Sequence, residues 1–151
     1  MSLKDWLNNG WLKKHKTSSK EIQNLLGVAE RDMSDSETSG LSPDWKLNIA
    51  YNAALQIATA ALAASGYRTT RESHHFRAIH SLKFTIEADE ELVILFDKFR
   101  KKRNISGYDR AGTISKQEAR EMKGLAETLY RLTKDWLNKN HPTLINFKGE
   151  R

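Results

Sequence analysis

The chain has 151 residues, with 25 Lys or Arg against 19 Asp or Glu, a net charge of +6 at pH 7 and no cysteine. This length predicts one domain over residues 1–151, burying roughly two-thirds of the surface of the unfolded chain. The absence of cysteine excludes disulfides and thiolate metal sites. The longest uninterrupted aliphatic run, residues 60–64, is too short for a membrane span, so we expect a cytoplasmic protein. The net charge of +6 favours an anionic partner.

Abundant Ala, Leu, Lys and Glu, with few β-branched runs, predict an all-α protein. Hydrophobic spacing and capping residues predict five helices, at about residues 17–33, 42–65, 70–84, 89–103 and 115–140. Ser42 and Pro43 suit the start of the second helix, and Gly66 suits its end. Ser115 and Glu118 form a capping box at the start of the last helix.

Short connections between these helices predict antiparallel neighbours. We therefore expect an antiparallel four-helix up-and-down bundle plus an additional helix. The bundle should cover roughly residues 17–140, with short flexible ends. In the last helix the buried face is predicted to contain Met122, Leu125, Leu129, Leu132 and Trp136.

The second predicted helix is rich in alanine and carries one narrow polar stripe. The stripe consists of Asn48, Asn52, Gln56 and Thr59, which follow one another at steps of three or four residues. It is consistent with the water-facing edge of the helix. The alternative is a polar seam that faces a groove, where it would meet nucleic-acid bases or a second subunit.

A basic segment lies at the end of the fourth predicted helix. Its positive side chains are Lys98, Arg100, Lys101, Lys102 and Arg103. The lysines are consistent with a solvated helix end that favours the negative helix pole. Arg103, Asn104 and Tyr108 together indicate phosphate or ribose binding, because the arginine fork can grip a phosphate with two hydrogen bonds and tyrosine can stack.

The sequence contains no pattern typical of a metal or cofactor site. His74 and His75 are adjacent, so on a helix they point about 100° apart. No zinc-binding histidine pair, calcium loop or glycine-rich phosphate loop is present. We therefore expect neither metal nor cofactor, and we expect His75 to be a hydrogen-bonded histidine of the core or of an interface.

Several segments, taken in order, resemble one known family. They are Ala50-Tyr51-Asn52-Ala53-Ala54, Gly66, Ser73-His74-His75, the Arg103-Asn104…Tyr108-Asp109 segment and Glu118-Ala119. Over residues 41–137 this order resembles the HEPN family (higher eukaryotes and prokaryotes nucleotide-binding), in particular its small stand-alone prokaryotic members.

The resemblance implies a site and partners. The signature of the family is an arginine followed four to six residues later by a histidine, which forms a metal-independent ribonuclease site across a dimer. Arg103 and Asn104 match this signature, but Tyr108 fills the histidine position, which favours binding over cleavage. Members with tyrosine there resemble partners of minimal nucleotidyltransferases in toxin–antitoxin-like pairs. A homodimer is implied as well.

Three functions follow as hypotheses. The preferred one is an RNA- or nucleotide-binding accessory or toxin-like component that acts with a minimal nucleotidyltransferase. The second is a metal-independent endoribonuclease, in which Arg103 stabilises the phosphorane and His74 or His75 is the base. The third is a non-catalytic helical adaptor. The residues expected at a catalytic site are Arg103, Asn104 and Tyr108, and those expected to bind nucleic acid or nucleotide are Lys98, Arg100, Lys101, Lys102 and the same three.

Overall fold

The computed structural model describes residues 1–105 and 112–145, without the side chains of residues 104 and 105. Its elements are α1 (Leu3–Asn8), β1 (Leu12–Lys14), α2 (Ser19–Asp35), α3 (Pro43–Ala64), β2 (Tyr67–Thr69), α4 (His74–Ser81), α5 (Glu90–Ile105), α6 (Lys116–Asn140) and α7 (Pro142–Ile145). The all-α class is confirmed, since the sheet contains only β1 and β2 in the described part of the chain. The up-and-down order of the bundle stays a prediction.

Side-chain caps set the boundaries of three long helices near the predicted positions. The Ser18 hydroxyl accepts from the Glu21 N–H at the start of α2, and the Ser42 hydroxyl accepts from the Trp45 N–H at the start of α3. The capping box between Ser115 and Glu118 is present at the start of α6. Each cap satisfies backbone donors that a helix start leaves without a partner.

Helix α3 is the core of the protein. It packs most extensively against α2 and α6, and also contacts α4 and α5. Its alanines allow close approach, and it is buried almost all round, which is why its pattern is weakly amphipathic. By length and composition alone α3 could cross a membrane, but 67% of its most apolar window is buried inside the protein, as in a core helix.

The third predicted helix, at residues 70–84, is wrong at its start and too long. Residues Tyr67–Thr69 are extended and pair antiparallel with Leu12–Lys14, with Thr69 opposite Leu12. Helix α4 begins only at His74, after Ser73 adopts a left-handed backbone with φ of 52°. Non-local contact continues beyond β2, because the Thr70 N–H and the Thr70 hydroxyl each donate to the Trp11 carbonyl at 3.4 Å, and such contacts override local helix propensity.

The N-terminal sixteen residues, expected to be a flexible end, form α1 and β1. Trp6 is only 3% exposed and packs edge-to-face against Trp11 and Phe84. The Arg77 guanidinium lies 3.8 Å from the centroid of the Trp11 ring, in the range of a cation–π contact. This segment therefore covers the end of the bundle near α4.

The buried face of α6 is close to the predicted one. Met122, Leu125 and Leu129 are buried, as expected. Leu132 and Trp136 are only half-buried, whereas Thr133 and Leu137 are fully enclosed. The buried stripe therefore shifts by one residue in the C-terminal half of the helix, as the drift of an apolar stripe around a straight helix allows.

The polar stripe of α3 is half-buried and is fixed largely by internal hydrogen bonds. The Asn52 amide donates to the Asp32 carboxylate of α2 at 2.7 Å, and the Thr59 hydroxyl donates to the Leu55 carbonyl at 2.8 Å. Asp32 is only 7% exposed. At Asn52 the stripe therefore joins α3 to α2 by a hydrogen bond, so the stripe is not only a water-facing edge of the helix.

Candidate functional site

The basic residues at the end of α5 fall on different sides of the helix. Arg100 and Arg103, three residues apart and so on one face, line a pocket that α5 forms with α4 and the turn before it. Lys98 and Lys101 are exposed and line no part of this pocket. Lys102 instead forms an ion pair with Glu118 of α6. The predicted basic segment therefore divides, and only its arginines reach the pocket.

The pocket has a volume of about 320 Å³ and a strongly cationic lining. Its lining residues are Arg71, Ser73, His74, His75, Phe76, Arg100 and Arg103. No carboxylate is among these residues. An anionic ligand would therefore meet three guanidinium groups in one concave site, and each of these can grip a phosphate with two parallel hydrogen bonds.

Tyr51 of α3 links the pocket to the core. Its hydroxyl is 3.1 Å from Nδ1 of His75, and its ring centroid is 5.1 Å from the guanidinium carbon of Arg103. Tyr51 is 1% exposed, and burial raises its pKa to about 12, although the charges of Arg103 and Arg100 lower it. The phenol thus stays protonated at neutral pH and holds both pocket side chains against the core.

His75 is neutral at neutral pH. Burial is the main cause, and the electrostatic effects of His74 and of the positive charges of Arg103 and Arg100 add to it, so its pKa falls to about 4. If the Tyr51 hydroxyl donates to Nδ1, Nε2 carries the proton and can donate to a ligand. In the other tautomer Nδ1 donates to Tyr51, and Nε2 is a base.

Asp97 fixes the position of Arg100. The Arg100 Nε donates to Asp97 Oδ1 at 2.7 Å, while Lys101 Nζ and His80 Nε2 each lie 3.6 Å from the same carboxylate. Asp97 is 8% exposed, and burial raises its pKa, but the hydrogen bond from Arg100 and the charges around it lower the pKa overall. This carboxylate compensates the charge of Arg100 and stays ionised.

The predicted site residues have different outcomes. Arg100 and Arg103 line the same pocket, whereas Lys98, Lys101 and Lys102 do not line it, and the binding role expected of all five residues stays a prediction. Asn104 belongs to α5, but its side chain lies outside the described part of the structure, as does the whole of Tyr108. Their candidate roles stay predictions.

Sequence reasoning missed two contributors to this pocket. Arg71 joins it from the turn between β2 and α4, which the sequence assigned to a helix. Tyr51 contacts its residues from the core side, and the one aromatic residue within the alanine-rich stretch 50–64 of α3 is a signal that could have indicated a special position. Among the described residues no three His, Asp or Glu side chains are grouped so that they could hold a metal ion.

Comparison of the sequence with protein-family models gave no match, and comparison with curated proteins gave no significant one. The resemblance to the HEPN family therefore depends on the residues quoted for it and on their order along the chain. For the function, the chemistry of the pocket carries the argument.

Proposed function

We propose that the pocket between α4 and α5 binds the phosphate groups of RNA or of a nucleotide. The observation that carries this proposal is the convergence of Arg71, Arg100 and Arg103 on one pocket of about 320 Å³. Arginine suits this role because its planar fork matches the oxygens of a phosphate. Neighbouring positive charges add an attraction that does not depend on base sequence.

The surroundings of the arginines support a prepared anion site. Arg100 is held by Asp97, and Arg103 lies over the Tyr51 ring, so these side chains lose little further freedom when a ligand binds. His75 is neutral and adds a hydrogen-bonding nitrogen without a further positive charge. The exposed ring of His74 is suited to stacking on a base.

The resemblance to HEPN proteins extends the proposal to partners. In this proposal the chain is a homodimer in the cytoplasm that works as an accessory or toxin-like component with a minimal nucleotidyltransferase. Two copies of the pocket would double the positive charge of the groove. Light scattering at tens of micromolar protein tests the dimer, and a persistent monomer would contradict it.

The binding test compares Arg103→Ala with Lys98→Ala, using fluorescence anisotropy of a short single-stranded RNA. Arg103 lines the pocket, whereas Lys98 is exposed on the same helix outside it. Loss of a charge-assisted hydrogen bond of about 1.5–3 kcal/mol should weaken binding by roughly ten-fold or more for Arg103→Ala. Repeated at two salt concentrations, the slope should fall by about 0.7 for Arg103→Ala, as for one phosphate contact to a single strand.

Equal and small losses for both variants would overturn the proposal and favour the helical adaptor. Thermal unfolding of each variant separates weak binding from loss of fold. Tyr51→Phe provides a further comparison, because it keeps the ring under Arg103 and deletes the hydroxyl that His75 contacts. It should preserve most of the affinity that depends on Arg103.

One observation favours a second candidate function, a metal-independent endoribonuclease. His75 and Arg103 line the same pocket of one chain, and the neutral imidazole of His75 is able to accept a proton. In this reaction the 2′-hydroxyl of RNA gives its proton to His75 and its oxygen bonds to phosphorus. The bond from phosphorus to the 5′-oxygen breaks, that oxygen takes a proton from water, and Arg103 stabilises the charged phosphorane.

The test is incubation of RNA with the protein in the presence of a chelator, followed by analysis of the ends. Cleavage that yields 2′,3′-cyclic phosphates and is lost in His75→Asn, while RNA binding is retained, would support this candidate. Intact RNA from acidic to alkaline pH would reject it and leave binding alone. The outcome thereby separates the two functions at a single residue.

A further inference from the structure

A second and larger cavity lies on a different part of the protein, between the α2–α3 connection and α6. Its volume is about 510 Å³, within the range of roughly 300–1,000 Å³ that is usual for small-molecule sites. Leu41, Pro43 and Ala119 give it an apolar wall. It shares no lining residue with the pocket between α4 and α5.

Cations predominate on the polar wall of this cavity. Lys46 of α3 and Lys116 and Arg120 of α6 line it, and none of the three makes an ion pair within the described residues. Uncompensated cations that face one cavity attract an anion, and the cavity walls strengthen that attraction by restricting the solvent.

Lys123 differs from these three because it is already paired. It forms an ion pair with Glu37 across the cavity and lies 3.7 Å from Glu127 on its own helix. The hydrogen bond that Lys123 donates to Glu37 raises the pKa of Lys123, so its ammonium is charged. The Glu37 carboxylate therefore already pairs with the Lys123 ammonium, which could otherwise bind an incoming anion.

A neighbouring cavity of about 340 Å³ lies further along α2 and α6, where Met33 and Tyr130 line it. The side chains of Glu37, Lys123 and Glu127 border both cavities. The cationic cavity thus continues past the Glu37–Lys123 contact into a second cavity, where the carboxylates of Glu37 and Glu127 outnumber the one ammonium. A ligand with an anionic group and an apolar group would match the cations and the apolar wall of the larger cavity.

We propose that the cavity between the α2–α3 connection and α6 binds a small organic phosphate ester. Lys46, Lys116 and Arg120 hold the phosphate, and the organic group lies against Leu41, Pro43 and Ala119. The Glu37 carboxylate competes with the phosphate for Lys123, so the Glu37–Lys123 ion pair weakens binding. The site is independent of the RNA-binding pocket.

The test is calorimetric titration of the full chain with phenyl phosphate and, separately, with inorganic phosphate. Phenyl phosphate should bind saturably and more tightly than inorganic phosphate, because only the ester covers the apolar wall. Lys116→Ala and Arg120→Ala should each weaken phenyl phosphate binding by roughly three- to ten-fold, the range expected for partly exposed charged contacts. Glu37→Gln should strengthen phenyl phosphate binding, because it removes the carboxylate that competes for Lys123.

Two further variants complete the design. Lys139→Ala removes an exposed lysine of α6 outside the cavity, so it should leave phenyl phosphate affinity unchanged. Arg103→Ala serves as a common background for all the titrations, because it weakens phosphate binding at the other pocket and leaves the cavity beside α6 as the measured site. Equal affinity of the two phosphates, or equal losses for Lys116→Ala and Lys139→Ala, would overturn the proposal. If phenyl phosphate affinity did not increase in Glu37→Gln, Glu37 would not compete with the phosphate for Lys123.

Discussion

The two sides of the C-terminal half of α5 carry similar charges but differ in what surrounds them. On one side, Arg100 and Arg103 face α4 and contact Asp97 and the Tyr51 ring. On the other side, Lys102 makes a partly exposed ion pair, and Lys98 extends into solvent. The charged side chains of one basic run therefore contribute unequally to stability. The burial of each partner explains the difference better than the charge, which is the same for all of them.

The largest expected effect of this difference on stability is at Arg100. Arg100→Ala leaves the carboxylate of Asp97, whose side chain is 11% exposed, without its 2.7 Å hydrogen bond. A buried charged group that loses its partner costs about 1–3 kcal/mol or more, and we expect that decrease in the free energy of unfolding. Lys98→Ala, on the exposed side, should change it by less than about 0.5 kcal/mol. Urea denaturation at neutral pH measures both.

A second substitution tests the cause of that loss. Asp97→Asn removes the negative charge, so Arg100→Ala in the Asp97→Asn background should cost less than it does in the natural chain. If Arg100→Ala were as harmless as Lys98→Ala, the two sides of α5 would be equivalent in energy. The two sides would then differ only in which residues their side chains lie near, and not in how much they stabilise the fold.

Much of the fold follows from local sequence. The helices α2, α3 and α6 are specified by Ser18, Ser42 and Ser115 as caps and by apolar residues at helical spacing. The pairing of β1 with β2 was not predictable in the same way, because it joins residues far apart in the chain and each strand has only three residues. The later start of α4 accompanies a further non-local contact, from Thr70 to the Trp11 carbonyl.

The site was predicted less completely for a similar reason. The three-residue spacing of Arg100 and Arg103 is visible in the sequence, so their common face could be inferred. That Arg71 and Tyr51 join them depends on how α3, α4 and α5 pack, which no local pattern contains. A sequence shows the charge of a lysine but not its partner, so the ion pair of Lys102 with Glu118 could not be predicted.

A smaller effect is expected from His75 and appears as pH dependence. Its pKa falls from 6.5 to about 4 on folding, so between these pH values the unfolded chain binds a proton that the folded chain does not. Stability should therefore decrease as the pH is lowered from 6.5 towards 4, by on the order of 1 kcal/mol after allowance for partial exposure. Urea denaturation at several pH values measures the slope.

The control is His75→Asn, which removes the titrating group and should flatten part of this slope. His80 contributes to the same window, since burial lowers its pKa as well, so the difference between the two chains isolates His75. Asp97 contributes elsewhere: its lowered pKa means that its stabilisation is lost only below its usual value of 3.8. An unchanged slope in His75→Asn would show that folding does not lower the pKa of His75.

The smallest effect is expected for the ion pair on the other side of α5, between Lys102 and Glu118. Their side chains are 39% and 22% exposed, so solvent weakens their attraction, and such pairs stabilise by about 0.2–1 kcal/mol. A double-mutant cycle with Lys102→Met and Glu118→Gln measures the coupling, and glutamine preserves the capping box with Ser115. The coupling should decrease further at high salt, whereas that of Arg100 with Asp97 should persist because burial limits screening. A coupling for Lys102 as large and as salt-resistant as that for Arg100 would mean that α5 has two equally built charged sides, and the pocket would no longer be distinguished by how its arginines are held.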